Sequence, residues 1–556
     1  MKNRIYPFGK RLFILMSLLV LLLLVAGSQS LEPTLAQTSQ TTAFVNVNVI
    51  PMDTERVLEN QTVLVEGDRI TAIGPVDEVA VPDGAEIVEG NGAYLMPGLA
   101  DMHTHLFYDA DPAFMRLFLA EGVTTVRNLN AFVPDHLEWR DQVAKGELLG
   151  PTIYTSGNSF YGVPPFLKLA VLMFRAQVIL APFVLGLLIW LLIWLVAKFT
   201  NFIPNFGQIR RFILPSLAGL LVVGILLAWF RVIPLTAYIQ RSFPFAAVPE
   251  SEAEGRQMIR DQKAAGVDFI KPYDWMSRDI YFALMDEAEK LGMYTDGHLV
   301  DTPEFVTLAE MVEAGQDEVA HADEFMSYLF VDFDPTNDGW VEYEVDMSRI
   351  DDIAALMAEN DVALTPTLIT NEIVLLGLED IGVLQGAEYR VVRSELITEW
   401  QESGRMINWR GQEAYRRGAW RPALMQLTKA MQDHGALLTL GTDTTVEGII
   451  PGYSAHQELS LLVESGLSNF EALATGTRNA AQVTGRMGAA DDWGTIIEGN
   501  RADLILLPDN PLEDVTHTQE RLGVMVRGQW FTQAELDGLV DEFVATYRGD
   551  AAMASK

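Results

Sequence analysis

The residues most able to do chemistry first appear together in AYLMPGLADMHTHLF, positions 93–107, where His103 and His105 stand one residue apart at the end of an apolar run. Side chains two apart on a strand point the same way, so both imidazoles can reach one cation. Neutral imidazole is a common metal ligand and also an ordinary core or surface group, so H-x-H alone leaves both readings open. Pro97 and Gly98 mark a break between segments, and Asp101 is placed to hold a ligand histidine in position. Four further candidates close apolar runs: Lys271 in GVDFIKPYD, His298 in TDGH, His321 in EVAHADEF and Asp443 in LLTLGTDTTV. Taken singly, the lysine reads as a paired or solvent-reaching cation, the histidines as satisfied side chains and the aspartate as a turn cap. The chain has no cysteine, which excludes disulfides and thiolate sites and confines any metal to His, Asp, Glu or a modified Lys.

The elements that must position these groups follow a repeated strand-helix rhythm. Candidate strand ends fall at His105, Asn128, Gly157, Tyr273, His298, His321, Leu368 and Asp443, with helical periodicity over 252–265, 280–291 and 353–359 between some of them. Eight such units predict an α/β fold with a parallel sheet closed into a (β/α)8 TIM barrel, whose chemistry sits at the carboxyl ends of the strands. Sheet signals flank it on both sides: FVNVNVI, TVLVEGDRITAIG and AEIVEG before it, NRADLILLP and GVMVRGQWF after it.

PGLADMHTH resembles the PGxxDxHxH of the first barrel strand in the amidohydrolase superfamily, and the later candidates match that superfamily in order. The resemblance implies a small β-sandwich built from both chain ends. It implies that Lys271 reacts with carbon dioxide to form an N6-carboxylysine bridging two metals, because a carbamate offers two anionic oxygens where an ammonium would repel a cation. His103, His105 and Asp443 would hold one ion, and His298 and His321 the other. Nitrogen and oxygen ligands suit a pair of zinc ions, and also manganese, iron or cobalt. The implied reaction is attack on a C–N bond, amide or peptide-like, by a metal-bridging hydroxide, with Asp443 as base and then acid. Within the superfamily the chain looks most like the imidazolonepropionase-related and prolidase-like group. Tyr161, Tyr273, Arg127 and Asn371, on or just past strand ends, are the expected substrate-orienting residues. His136, His434, His456 and His517 match no ligand position. A lactone or ester hydrolase on the same site is the near alternative; a noncatalytic receptor or scaffold barrel is the alternative of another class.

The chain departs from the family after the third strand. Residues 178–197 and 212–230 are uncharged runs of 20 and 19 residues, the length needed to cross hydrocarbon, and read as a transmembrane hairpin within an insertion at 166–245. At the N-terminus Lys2, Arg4, Lys10 and Arg11 precede an apolar stretch, the layout of a secretory signal or signal anchor over 1–42. Together these predict a membrane protein with its catalytic barrel outside the cytoplasm, on the periplasmic or extracellular side. The expected division is β-sandwich at 43–97 and 491–535, barrel at 98–165 and 246–490, and a C-terminal helix or tail at 536–556. With 39 Lys and Arg against 75 Asp and Glu, a net charge of −36 argues against a nucleic-acid partner. The expected partners are a small-molecule or short-peptide substrate and membrane lipid, with a homo-oligomer left open.

Overall fold

A computed structural model describes residues 41–106, 112–130, 135–162, 246–299, 306–334, 341–402 and 404–554, together with Val184, Leu187, Leu188, Leu191, Leu192 and Leu195. The described residues open with β1 (Thr41–Val49), β2 (Leu58–Glu66), β3 (Arg69–Pro75), β4 (Glu86–Glu89) and β5 (Tyr94–Pro97). Gly67 follows the last residue of β2 with φ +62°, which lets the β2–β3 turn close without strain. One face of these strands packs around Phe44, Val63, Val65 and Leu95, the alternate positions that the period-2 pattern marks as apolar.

Gly98 separates β5 from β6 (Leu99–Thr104), and a Cβ there would lie 2.2 Å from the Thr124 hydroxyl, so the close approach of the next strand requires glycine. The barrel continues through β7 (Val123–Asn128), β8 (Thr152–Thr155), the short β9 (Ser159–Phe160) and β10 (Ala246–Ala247), β11 (Phe269–Ile270), β12 (Tyr294–Gly297), β13 (Glu318–Ala320) and β14 (Ala363–Thr365). β6–β7–β8 and β11–β12–β13–β14 are two parallel ladders. The parallel bridge Ser156–Phe269 joins the two ladders directly, and Leu364–Leu438 and Thr104–Thr444 join their other edges through residues 438–444, which form the eighth segment and close the ring. Eight parallel segments in sequence order make this a TIM-barrel-like domain.

Between the strands, helix Glu252–Ala265 matches its expected range, is capped by the Ser251 side chain and stops at Gly266. Helices Arg278–Lys290 and Ile350–Glu359 begin a turn or less earlier than their apolar periodicity suggested. Strand seven ends sooner than expected. Pro366 follows β14, and Leu368 opens the helix Leu368–Glu379 instead of closing the strand, its amide donating to Glu458. The connection from there to strand eight is a helical excursion, with helices at Ser394–Glu402, Gly404–Asn408 and Arg421–His434.

The chain finally returns as β15 (Leu504–Leu507), β16 (Gly523–Val526) and β17 (Gln529–Thr532), with β15 antiparallel to β5. Both chain ends therefore share one continuous path, β17–β16–β15–β5–β1–β2–β3 with β4 beside β1, in place of two separate sheets.

β9 and β10 pair in parallel, Ser159 with Ala246 and Phe160 with Ala247, so the chain leaves the barrel after residue 162 and re-enters it alongside the same point. The expected membrane spans at 178–197 and 212–230 lie outside the described residues, except for six helical positions in the first. These six, Val184, Leu187, Leu188, Leu191, Leu192 and Leu195, are exposed. Among the described residues no helix is long and apolar enough to cross a membrane. The expected N-terminal signal, residues 1–42, also falls outside them apart from Thr41 and Thr42 in β1.

Candidate metal-binding active site

β6 is buried along its whole length and delivers His103, and His105 one residue past its end, to the carboxyl mouth of the barrel. Strand eight can lie against it because residue 441 is glycine: a Cβ there would stand 2.8 Å from His103 Cβ and 2.3 Å from Thr365 Cγ2. Asp101 locks the two strands together. Its Oδ1 accepts from the amides of His103 (3.2 Å) and Thr442 (3.0 Å), and its Oδ2 from the Thr442 hydroxyl (2.6 Å). It thus holds His103 through the backbone amide of that residue. Burial pushes its carboxyl up to about 7, against the pull of the Thr442 hydroxyl and the two amides.

Asp443 Oδ1 lies 2.9 Å from His105 Nε2 and 3.4 Å from His103 Nε2. Ligand atoms of His103, His321 and Asp443 all fall within 4.8 Å of one another. Both ring nitrogens of His103 are buried with no hydrogen-bond partner, and burial drives its pKa well below the ordinary value. A neutral imidazole with unsatisfied buried nitrogens beside a carboxylate is a donor set that fits a cation. His321 offers its Nδ1 to the Thr367 hydroxyl at 2.7 Å, which leaves Nε2 for a metal. Its ring centroid is 4.4 Å from that of His103 and 5.0 Å from that of His298. His321 and Asp443 both hold left-handed backbone, φ +78° and +58°, a costly conformation for non-glycine residues that recurs where geometry serves a site.

Lys271, one residue past β11, is buried, with Nζ 3.3 Å from the Leu129 carbonyl. Burial lowers its pKa to about 8 in spite of Asp443, Asp296, Asp274 and Glu324. Carbamate formation needs the neutral amine, and the lowered pKa makes that form more accessible than in an exposed lysine. The side chain is close enough to depress His103, His105 and His321 electrostatically.

His298 is held differently. Its Nδ1 sits 3.0 Å from Asp274 Oδ1 and 3.1 Å from Glu324 Oε1, and these three ligand atoms form a second group within 4.8 Å of one another. Burial opposes charging of this imidazole, but Glu324 and Asp274 outweigh it and raise the pKa to about 10. With Nδ1 held by the carboxylates, Nε2 would face a cation once its proton is lost, the neutral ring keeping its proton on Nδ1. Asp274 and Glu324 were not foreseen, although each follows a candidate ligand by three residues, in KPYD and HADE.

The four residues expected to orient a substrate separate into two kinds. Tyr161 and Tyr273 build an aromatic wall, their rings 4.3 Å apart and that of Tyr273 3.8 Å from His298. Arg127 does not face the mouth. It points into the barrel and is fully buried, with Nη1 and Nη2 donating to Glu318 at 2.6 and 2.7 Å. Nη2 also lies 2.9 Å from Asp296, and Nε donates to the Met102 carbonyl at 2.7 Å. A strand-end cation can occupy either face of the sheet, and here the inward-facing Glu318 and Asp296 decide it. Asn371 is buried on helix Leu368–Glu379, donating to Asp323 at 3.3 Å. Arg405, carried by the helical excursion, stands 3.6 Å from Asp443 Oδ2, and no sequence motif announces it.

A parallel eight-stranded barrel with histidines and an aspartate converging at its carboxyl mouth defines a class of metal-site barrels. Residues 231–531, more than half of the chain, match the Amidohydrolase family, and the chain belongs to that family. Local likeness extends to an adenine deaminase of Ruegeria sp. (strain TM1040), 29% identical over 100 residues, covering 18% of this chain and 17% of the relative. An imidazolonepropionase of Arthrobacter sp. (strain FB24) is 43% identical over 56 residues, covering 10% and 14% respectively. The chain thus spans only about a sixth of these relatives' length. Among solved structures it is similar to a putative prolidase from Bifidobacterium longum (TM-score 0.56, 21% identity, 91% of this chain and 99% of that one). It is also similar to a bottromycin amidohydrolase (TM-score 0.60, 19% identity, 93% and 94%). At these identities the likeness is one of fold.

Proposed function

We propose that this protein is a metal-dependent hydrolase of carbon–nitrogen bonds, acting on amide or peptide-like substrates, and that it is tethered to a membrane. The observation that carries the hydrolase reading is the convergence of His103, His321 and Asp443 on one point, around an imidazole whose buried nitrogens have no other partner. His103, His105 and Asp443 would hold one divalent ion, His298 and His321 a second, and a carboxylated Lys271 would lie between them. When bound, such ions supply a water acidified toward neutrality and polarise a carbonyl oxygen.

The chain's own residues supply the rest. Asp443 is ionised at neutral pH: burial favours its neutral form, but His321, His105 and Arg405 hold its pKa well below the ordinary range. It is therefore able to accept a proton and return it to the leaving amine. Thr367 and the Asp274/Glu324 pair fix the rings of His321 and His298, and Asp101 fixes the backbone of His103. The Tyr161–Tyr273 wall offers an apolar face beside His298 on which a substrate side chain can rest.

The tether reading rests on the two uncharged runs in the insertion, on the exposed apolar positions Val184, Leu187, Leu188, Leu191, Leu192 and Leu195, and on the β9–β10 pairing that brings the two sides of the insertion to one place. It puts Tyr161, next to the exit point, near the membrane surface. Two tests separate the readings. Metal analysis of the purified full chain, coupled to a screen of dipeptides, N-acyl amino acids and lactones, tests the chemistry. Extraction of membranes with alkaline carbonate tests the tether: the protein stays in the pellet if the runs span the bilayer and is released if they do not.

A further inference from the structure

Arg405 lies on the short helix Gly404–Asn408, far from any motif, yet it reaches the mouth of the barrel. The helix is pinned on both sides. Met406 is buried, with its Cε 2.5 Å from where a Cβ on Gly377 would be, and the Arg405 amide donates to Glu447 Oε1 at 3.2 Å. The guanidinium is thereby delivered to a fixed place. Its Nη2 stands 3.6 Å from Asp443 Oδ2, too far for a hydrogen bond, and its Nη1 is buried with no hydrogen-bond partner among the described residues. The neighbouring anions are otherwise engaged: Glu447 by the backbone of Arg405, Asp323 by Asn371. The nearby Arg416 differs, since its guanidinium is stacked 3.5 Å over Trp409 and 4.1 Å over Trp420 and serves packing. A buried, unsatisfied donor on a fixed fork calls for a missing acceptor, and a planar guanidinium matches a carboxylate in bidentate fashion.

Direction follows from Asp443. Its Oδ1 faces His105 and His103, and its Oδ2 faces Arg405. In the proposed reaction the proton goes from Asp443 to the leaving nitrogen, so whatever is attached to that nitrogen lies on the Arg405 side. We propose that Arg405 is the specificity-determining residue of this site and that it binds a carboxylate on the amine half of the substrate, one carbon from the scissile nitrogen. The assignment of the leaving side rests on the hydrolase reading above; the anion site itself does not.

The test uses the full-length, metal-loaded protein and two ligand pairs, an N-acyl amino acid with its carboxamide and the free amino acid with its amide. Hydrolysis of the acid should exceed that of the carboxamide in kcat/KM by roughly 100-fold, the size of a lost charge-assisted bidentate contact. Arg405→Gln should collapse this ratio to about 3-fold or less, chiefly through KM, and Arg405→Lys should fall between. An unchanged ratio in Arg405→Gln, with metal content equal to wild type, overturns the proposal. If neither substrate is hydrolysed, the hydrolase reading fails, and calorimetry on the second pair still decides the anion site. Binding of the amino acid but not its amide, lost in Arg405→Gln, supports it; equal binding by the wild-type and variant proteins overturns it.

Discussion

The carboxylate of Asp443 lies 2.9 Å from Nε2 of His105, a residue 338 positions earlier in the chain. The contact is possible because Thr104 and Thr444 bridge the first and eighth strands and Gly441 leaves room for His103. If Asp443 moves the proton, Asp443→Asn keeps the shape of the site but removes the base. Turnover should fall by roughly 10²–10⁴-fold while much of the metal remains bound. Steady-state kinetics with metal analysis of the same sample checks this, and undiminished kcat would remove Asp443 from the proton path.

Lys271 offers a second check, because an unmodified ammonium and a carbamate predict opposite behaviour toward cations. Lys271→Ala should bind at most one divalent ion per chain, and added acetate or propionate should partly restore both metal and hydrolysis by supplying the absent carboxylate. Full metal content in Lys271→Ala without such an additive would show that the lysine bridges nothing.

Arg127 should behave as part of the barrel and not as part of the substrate site. Replacing it by Met leaves Glu318 and Asp296 buried without their cation, a loss of about 3–5 kcal/mol when one partner of a buried pair is removed. Denaturant unfolding should show a large drop in midpoint. A stable Arg127→Met protein with only a raised KM would return the residue to the role expected from sequence.

Stability should also depend on pH through His456, which is remote from the metal ligands. Its Nδ1 lies 2.9 Å from the Thr518 hydroxyl and its Nε2 2.9 Å from the Glu121 carbonyl, with Arg521 close by. Burial first, and then the Arg521 charge, lower its pKa from the ordinary 6.5 to about 3. The unfolded chain takes up a proton below about pH 6.5 and the folded chain does not until about pH 3. The contribution is therefore whole above pH 6.5 and is lost as the pH falls toward 3, at up to about 1.4 kcal/mol per pH unit. Urea unfolding of wild type and His456→Gln at pH 7 and pH 5 should show a smaller acid loss in the variant; equal losses would mean that His456 does not carry the effect.

What the sequence made legible follows a physical rule. Each apolar run ending in a polar residue marks a strand that stops at the barrel mouth, so hydropathy puts His103, His105, His298, His321 and Asp443 at strand ends, while only the family resemblance singles them out as a ligand set. The face on which a charged side chain emerges could not be read from either. Arg127 and Lys271 both close buried strands, and only the three-dimensional placement of Glu318 and Asp296 turns the first inward. Arg405 was invisible for another reason: it comes from a helical excursion between strands seven and eight, where periodicity predicts helices but not where they dock. The end of strand seven was misread because the apolar run through Leu368 continues past Pro366 into a buried helix, and hydropathy alone does not separate the two.

The central claim is that six side chains between His103 and Asp443 grip divalent cations at one barrel mouth. Anomalous diffraction from crystals of the zinc-loaded protein tests it most directly. The account predicts two metal peaks, one against His103, His105 and Asp443 and one against His298 and His321, with carbamate density on Lys271 between them. A fully loaded protein whose metals lie elsewhere, or a folded protein that binds none at this mouth, would contradict it.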